Sequence, residues 1–287
     1  MGCARRSART WFQASPPKRR GSKLVRWTGA ALSGRCMTIS SIDAAPPDNA
    51  PTRATDIPAI SAVGVSKRYG SVTALNQLTL DIRCGEVFGL LGPNGSGKTT
   101  FMRLLAGYLL PSAGRLTVSG LDTVRDSLAV RRRIGYVPES APLYRQMRVG
   151  EFLAFMARLR GLPERAVAAA VERVVDRLAL GAVVDKPTRA LSRGYRQRAA
   201  LAQALIHDPD ILILDEPTNG LDPRQIIEMR ELIRSLAGRH TVLMSSHILS
   251  EVEKTSDRVA VMLDGRLLGV QTMADTPDLE SWFLSLT

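Results

Sequence analysis

Residues Gly92 to Thr99, GPNGSGKT, match the spacing G-x-x-x-x-G-K-[ST]. The glycines let the backbone curl so that successive N–H groups point at one centre, which is an arrangement that binds phosphate oxygens. The lysine adds a point charge, and the threonine hydroxyl can bind Mg²⁺. We predict a loop that holds the phosphates of a nucleotide. The predicted nucleotide-binding residues of this stretch are Gly92, Pro93, Asn94, Gly95, Ser96, Gly97, Lys98, Thr99 and Thr100.

Two adjacent carboxylates follow the apolar run Ile211–Leu214. A buried strand that ends beside the glycine loop would present Asp215 to the same cation as Thr99, and we predict both as metal ligands. The second carboxylate, Glu216, could act as general base for a water that attacks the terminal phosphate. This pairing favours a hydrolase over a simple binder, although an acid pair at a strand end is also common on protein surfaces.

One histidine also follows a strand-like run. His247 comes after residues 241–244 and two serines, and it could hydrogen-bond the γ-phosphate and hold the water in line. We predict a catalytic role for His247, with a structural role as the alternative. His207 and His240 are predicted to be structural. Asp222 is a candidate nucleotide contact, and as the residue before Pro223 it is equally suited to cap a helix.

The elements that position these residues alternate along the chain. Strands are predicted at residues 59–67, 75–83, 86–91, 114–119, 134–137, 211–214 and 241–245, with a hairpin over 259–270 around Asp264-Gly265. Helices are predicted at residues 99–107, 151–159, 163–180, 196–206 and 223–236. Alternating strands and helices indicate an α/β fold with a mainly parallel sheet covered on both faces. Residues 140–195 contain helices alone, which predicts a helical insertion.

A second helix start could bind an anion. Ser192 and Gly194 precede the helix predicted at residues 196–206, whose first N–H groups would face outward. This helix end lies beyond the helical insertion and would not easily reach the phosphates of its own glycine loop. Two copies arranged head to tail would each complete the nucleotide site of the other.

The motifs together resemble the ATP-binding subunit of an ABC transporter over residues 59–271. GPNGSGKTT resembles the Walker A loop, LSRGYRQR stands at the signature, ILILDE resembles Walker B, and NGLDP resembles the D-loop with Asp222. His247 corresponds to the switch histidine. Tyr69, in SKRYG, corresponds to the aromatic residue that stacks on adenine, with packing as its structural alternative. The resemblance implies a P-loop NTPase with an antiparallel β subdomain and a helical subdomain.

Two motifs depart from the family pattern. The glutamine that the family has after its strand at residues 134–137 is Glu139 here, and its carboxylate can still bind Mg²⁺ while adding negative charge beside the phosphates. The signature has Arg193 and Tyr195 where the family has Gly and Gln. YVPESAPLY and the helix after it resemble gliding-motility-type and multidrug-type exporter ATPases. In those systems the membrane permease is a separate chain.

Charge and composition divide the 287 residues into segments. Nine of the Lys and Arg residues and no acid fall in residues 1–36, so only +3 of the net +12 belongs to the remainder. This basic segment is interpreted as sequence upstream of a true start at Met37, as a transit peptide, or as a basic arm. With the linker at residues 43–57 it forms a predicted disordered region 1–57. An ATPase domain follows at 58–273, and a short C-terminal tail at 274–287.

The sequence therefore predicts an ATPase that uses ATP and Mg²⁺ in a head-to-tail dimer with itself or a related subunit. Its predicted partner is a membrane permease, which places it peripherally on the cytoplasmic face of the membrane, with export more expected than import. The alternatives are another P-loop enzyme, an ABC-type ATPase that acts on nucleic acid or the ribosome, and a nucleic-acid binder that uses the basic arm. The chain has no N-K-x-D loop of a GTPase. We expect no nucleic acid partner.

Overall fold

The computed structural model describes residues 57–275 and 278–286. The basic segment, Met37 and all but the last residue of the predicted linker lie outside the described residues. The strands are β1 Ile60–Tyr69, β2 Val72–Ile82, β3 Val87–Leu91, β4 Ala113–Val118, β5 Leu121–Asp122, β6 Ile134–Val137, β7 Ile211–Leu214, β8 Thr241–Ser246, β9 Arg258–Leu263 and β10 Arg266–Thr272. The helices are α1 Lys98–Leu105, α2 Ser127–Arg133, α3 Val149–Leu159, α4 Glu164–Arg177, α5 Arg193–Leu205, α6 Pro223–Leu236, α7 Leu249–Thr255 and α8 Leu279–Leu286.

The strands form two sheets. The larger sheet has the order β10-β9-β3-β8-β7-β6, and all neighbours are parallel except the β9–β10 hairpin, which turns at Asp264 and Gly265 as predicted. The smaller sheet is antiparallel with the order β2-β1-β4-β5. In the parallel sheet the carboxyl ends of β3, β7 and β8 lie at one edge, because neighbouring parallel strands run in the same direction. The predicted class, a mainly parallel α/β core with an antiparallel β subdomain, is confirmed.

The central sheet is covered on both faces, and strand β7 shows why its residues are all apolar. Leu212 and Leu214 belong to a buried cluster that includes α3, α4, α5 and α6, whereas Ile211 and Ile213 belong to a cluster formed with α1 and the antiparallel sheet. Successive side chains of a strand point to opposite faces, so a strand buried on both sides must be apolar at every position. This continuous apolar run ends at Asp215, which places the carboxylate at the sheet edge.

Between β6 and β7 the chain forms α3, α4 and α5; α3 and α4 lie in the helical insertion predicted at residues 140–195, and α5 follows it. Short 3₁₀ turns at Gly181–Val183 and Thr188–Ala190 connect α4 to α5. Helix α5 begins at Arg193 rather than at residue 196, because the Ser192 hydroxyl caps it by accepting a hydrogen bond from the Tyr195 N–H at 3.4 Å.

Three helices and one strand were not predicted from sequence patterns, namely α2, α7, α8 and the two-residue β5. The region expected to be a C-terminal tail contains α8, in which Leu279 is fully buried and Trp282, Phe283 and Leu286 pack against a small cluster built on α7 and β9. Among residues 57–275 and 278–286, no helix has the length and apolar character that would let it cross a bilayer.

Candidate functional site

The glycine loop connects β3 to α1, and its shape requires residues without side chains. A Cβ on Gly92 would lie 2.2 Å from the Met262 carbonyl oxygen, and one on Gly97 would lie 2.7 Å from the Ala74 carbonyl oxygen. Gly97 also has φ +103° and directly precedes the first helical residue, Lys98. Because backbone atoms occupy these positions, neither glycine can be replaced without moving the loop. Because Gly97 directly precedes α1, the loop lies at the N-terminus of that helix, where anions are stabilised.

Lys98 extends back over its own loop. Its ammonium donates hydrogen bonds to the Gly92 carbonyl oxygen at 2.7 Å and the Pro93 carbonyl oxygen at 3.1 Å. Burial lowers the pKa of Lys98 below its usual value, whereas the negative charges of Glu216 and Asp215 oppose this shift. The side chain is only 5% exposed and lies 3.8 Å from the Glu216 carboxylate. The structure thus places one cation between the loop and the two predicted carboxylates.

Asp215 stands at the end of β7 and is held from two sides. The Thr99 hydroxyl donates to its Oδ1 at 3.2 Å, and the Ser245 hydroxyl donates to the same oxygen at 2.7 Å. Its backbone N–H donates to the Val137 carbonyl oxygen of β6. The hydroxyl of Thr99 and the carboxylate of Asp215 are the hard oxygen donors that Mg²⁺ prefers, and they are adjacent here. This pair could hold the cation of a bound nucleotide.

Glu216 has a strained backbone and one carboxylate oxygen that accepts no hydrogen bond. Its φ of +50° lies in the left-handed region, which costs free energy in a residue other than glycine and occurs often at functional sites. The Ser245 hydroxyl accepts a hydrogen bond from the Glu216 N–H at 2.9 Å. Within the described residues, the buried Oε1 of Glu216 accepts no hydrogen bond, and it faces the Lys98 ammonium at 3.8 Å. A buried carboxylate oxygen that accepts no hydrogen bond is suited to receive a proton from water.

His247 follows β8 and contacts the carboxylate rather than the glycine loop. Its Nδ1 lies 2.9 Å from Glu216 Oε2, and its side chain is 40% exposed. His247 can therefore fix the orientation of the Glu216 carboxylate. The other two histidines have structural surroundings, as the sequence predicted. His207 Nε2 lies 3.2 Å from the Ile134 carbonyl oxygen, and the buried His240 places Nδ1 2.7 Å from the Pro209 carbonyl oxygen.

A cavity lies at the start of α5. It has a volume of about 390 Å³, and the residues that line it include Ser192, Gly194, Tyr195, Asp222 and Gln225. Asp222 caps α6 by accepting a hydrogen bond from the Gln225 N–H at 2.9 Å, which is the alternative role predicted for it. Of the described residues, none that lines this cavity belongs to the glycine loop.

Two further predicted residues lie at the end of a strand and in the loop after one. Tyr69 ends β1, is 45% exposed, and has the Lys67 ammonium 5.2 Å from its ring centroid. Its exposed face is suited to stacking on a flat base. Glu139 does not contact Thr99 or Asp215 in any hydrogen bond described for it. Its Oε1 accepts a hydrogen bond from the Asn219 side chain at 3.0 Å.

Sequence reasoning missed the residue that joins the two carboxylates. Ser245 is fully buried in β8, and its hydroxyl bridges the Asp215 side chain and the Glu216 backbone. A sequence signal was available, because Ser245 is a polar residue that follows the apolar run of a strand buried on both faces. Asn219 and Arg193 were also missed as contacts, and only the folded chain reveals that they meet.

The fold and this arrangement define a P-loop NTPase, in which a glycine loop contacts a pair of strand-end carboxylates and a histidine contacts one of them. The family model described as "ABC transporter" matches residues 75–219. The chain belongs to the ABC transporter family. It is an ATP-binding subunit of that family and an ATPase.

Relatives agree with this assignment. The chain is 42% identical to the daunorubicin resistance ATP-binding protein DrrA3 of Streptomyces coeruleorubidus over 75% of this chain and 68% of that protein. It is 40% identical to the Nod factor export ATP-binding protein I of Ralstonia nicotianae over 73% of this chain and 65% of that protein. The matched segments thus span about two thirds of these relatives. The structure of CbiO1 from Clostridium perfringens, part of the transporter complex CbiONQ, aligns with a TM-score of 0.71 and 30% identity over 77% of this chain and 90% of that one.

Proposed function

We propose that two copies of this subunit, or one copy and a related subunit, close head to tail around ATP·Mg²⁺ and drive export through a separate membrane permease. The observation that carries this proposal is the separation of two phosphate-binding surfaces in one chain. The glycine loop lies at the start of α1, and the cavity at Ser192 and Gly194 lies at the start of α5. A helix start whose cavity is lined by no residue of the glycine loop is explained when it binds the nucleotide of a second copy.

The residues of the site have distinct roles in this proposal. Lys98 and the N–H groups of the loop bind the β- and γ-phosphates, Thr99 and Asp215 hold Mg²⁺, and Tyr69 stacks on adenine. Asn94, Gly95, Ser96 and Thr100 complete the loop around the phosphates. Ser96 Oγ is buried without a hydrogen-bond partner among the described residues, which fits a group that receives a ligand there.

The chemical step assigned to this chain is proton removal from water. Glu216 accepts the proton on Oε1, which accepts no hydrogen bond in the structure, while the water oxygen forms a bond to the γ-phosphorus and the bond to the β-phosphate oxygen breaks. His247 holds the other oxygen of the Glu216 carboxylate at 2.9 Å, which leaves Oε1 to face the water. The products are ADP and phosphate. Their charge repulsion, together with loss of the bridging γ-phosphate, favours reopening of the dimer.

Transport and location are proposed from the relatives. One relative is named for daunorubicin resistance and another for Nod factor export, and both names describe an ATP-binding protein. These names support export of a small organic compound by a permease encoded as a separate chain. The subunit would then lie on the cytoplasmic face of the membrane through its contact with that permease, and no nucleic acid partner is needed.

The dimer proposal is tested with Glu216→Gln, which retains the shape of the side chain and removes the base. We expect ATP to shift the purified variant from monomer to dimer in analytical ultracentrifugation, because ATP stays bound. Adding Ser192→Phe should abolish that shift, because the ring fills the cavity at the start of α5. A matched control is Arg158→Ala, which alters an exposed ion pair inside the helical insertion. A wild-type chain that hydrolyses ATP at full rate as a strict monomer would refute the proposal.

The permease proposal is tested by co-expression with each membrane protein that is encoded beside this chain. We expect the two to co-purify in detergent, and the ATPase rate to rise when the complex is placed in lipid vesicles. Accumulation of the exported compound inside inverted vesicles should require ATP and should be lost with Glu216→Gln. Turnover that is unaffected by every neighbouring membrane protein, combined with binding to RNA or ribosomes, would instead support the non-transport alternative.

A further inference from the structure

The helical insertion leaves and re-enters the core at two charged residues. The chain leaves the core sheet at β6, with Glu139 two positions beyond it, and returns through Arg193 at the start of α5. Both residues depart from the family pattern, which has Gln where Glu139 stands and Gly where Arg193 stands. In the folded chain both side chains contact one residue of the core, Asn219.

The contacts use different groups of Asn219. Its side-chain amide donates a hydrogen bond to Glu139 Oε1 at 3.0 Å. Its backbone carbonyl accepts a hydrogen bond from Arg193 Nη2 at 2.7 Å. The guanidinium also covers the next residue, because a Cβ built on Gly220 would lie 2.1 Å from Arg193 Cζ. A glycine at this position therefore leaves room for the guanidinium to reach the Asn219 carbonyl.

Asn219 also belongs to the turn that carries the general base. Its backbone N–H donates to the Glu216 carbonyl oxygen at 3.1 Å, closing a turn that begins at Glu216. Glu216 itself has the left-handed φ of +50°. The backbone of Glu216 is thus connected through a single residue to both ends of the helical insertion.

We propose that Asn219 is a positioning residue that couples the orientation of the helical insertion to the placement of Glu216. A rotation of the insertion displaces Glu139 and Arg193. Their hydrogen bonds to Asn219 transmit both displacements to the turn at Glu216. The catalytic part of this inference rests on the proposed role of Glu216. The structural part, a connection of both ends of the insertion to one core residue, is independent of that role.

The test exchanges the donor and the acceptor of the hydrogen bond between Asn219 and Glu139. Asn219→Asp places two carboxylates at the position of the 3.0 Å hydrogen bond, so the Glu139 end should be released. In the double variant Glu139→Gln with Asn219→Asp, the new amide donates to the new carboxylate and the bond is restored in reverse. Arg193→Gly releases the other end and introduces the residue of the family pattern. Arg158→Ala is the matched control, since it breaks an exposed ion pair that lies wholly within the insertion.

Hydrogen–deuterium exchange of the nucleotide-free protein is the first measurement. We expect Asn219→Asp to accelerate exchange about 2- to 10-fold at residues 139–148 and 193–196, as for the loss of one hydrogen bond. The double variant should return towards the wild-type rate, and Arg158→Ala should leave both segments unchanged. Unchanged exchange in Asn219→Asp, or no recovery in the double variant, would overturn the connection.

Steady-state kinetics is the second measurement. Asn219→Asp should lower kcat with little change in the KM for ATP, and the double variant should recover kcat relative to Asn219→Asp alone. Recovery of exchange without recovery of kcat would overturn the coupling to Glu216 while leaving the connection intact. If Glu216→Gln itself kept wild-type turnover, the role of Glu216 would fail, and the exchange data would still decide whether Asn219 joins the two ends.

Discussion

The variant Ser245→Ala tests whether the Ser245 hydroxyl positions Asp215 and Glu216 for the proposed catalysis, in addition to stabilising the fold. The substitution removes a hydroxyl that donates to Asp215 at 2.7 Å and accepts from the Glu216 N–H at 2.9 Å in a fully buried position. Loss of a hydrogen bond to a charged group costs about 1.5–3 kcal/mol, and a buried N–H without a partner costs about 1–3 kcal/mol. We therefore expect the free energy of unfolding to fall by about 2.5–6 kcal/mol, measured by urea denaturation.

Catalysis should fall as well in this variant, even in the fraction of the protein that stays folded. Glu216 has a left-handed backbone, and without the Ser245 hydroxyl the turn can relax and move the carboxylate. A displacement of about 1 Å lowers the rate by about 100-fold. We expect a fall of that size in kcat, measured by phosphate release from protein that circular dichroism shows to be folded.

The adjacent serine provides a matched control. Ser246 is also fully buried, donates to Glu251 Oε2 at 3.0 Å, and accepts from the Ile248 N–H at 3.0 Å. Ser246→Ala should therefore cost a similar free energy of unfolding but reduce kcat much less, because its carboxylate partner is not part of the catalytic pair. If both variants lost kcat equally, the effect would be general destabilisation and the reasoning for Ser245 would be refuted.

Further expected outcomes concern nucleotide binding, hydrolysis and pH. Lys98→Ala should weaken ATP binding about 10- to 150-fold in calorimetry, since it removes hydrogen bonds to a charged ligand worth about 1.5–3 kcal/mol; unchanged affinity would contradict the loop assignment. Glu216→Gln should lower kcat by about 10²- to 10⁴-fold and retain ATP affinity, and a rate near that of the wild type would exclude Glu216 as the base. Burial, with the nearby charge of Arg160, lowers the pKa of His207 to about 4 from 6.5. Its neutral form therefore stabilises the fold fully above pH 6.5, and this contribution is lost as the pH falls towards 4. The loss has an upper bound of about 3 kcal/mol, which solvent screening reduces because the ring is only partly buried. His207→Gln should show a weaker decline in unfolding free energy between pH 7.5 and 5, and an identical decline would contradict the role of His207.

The sequence alone determined the class of fold, and it predicted the glycine loop and the pair of carboxylates after β7. Lys98 and its glycines are adjacent in the chain, so their spacing already describes the curled loop and the helix that follows it. The apolar run before Asp215 predicts a buried strand because burial on both faces requires an apolar residue at every position. The Asp264-Gly265 hairpin is likewise local, since two residues with positive φ form the turn.

Only the tertiary structure decided how these residues are held. Ser245 lies 30 residues from Asp215, and its bridge exists because β8 and β7 are neighbours in the sheet. Asn219 lies 80 residues from Glu139, so neither residue carries a local signal of the other. The C-terminal helix α8 is short, and its packing on the cluster of α7 and β9 accounts for its order. The hydrophobic patterns of strands, with a period of two residues, and of helices, with a period of about 3.6, describe one segment and its buried face. Contacts between distant segments depend on strand order and side-chain geometry.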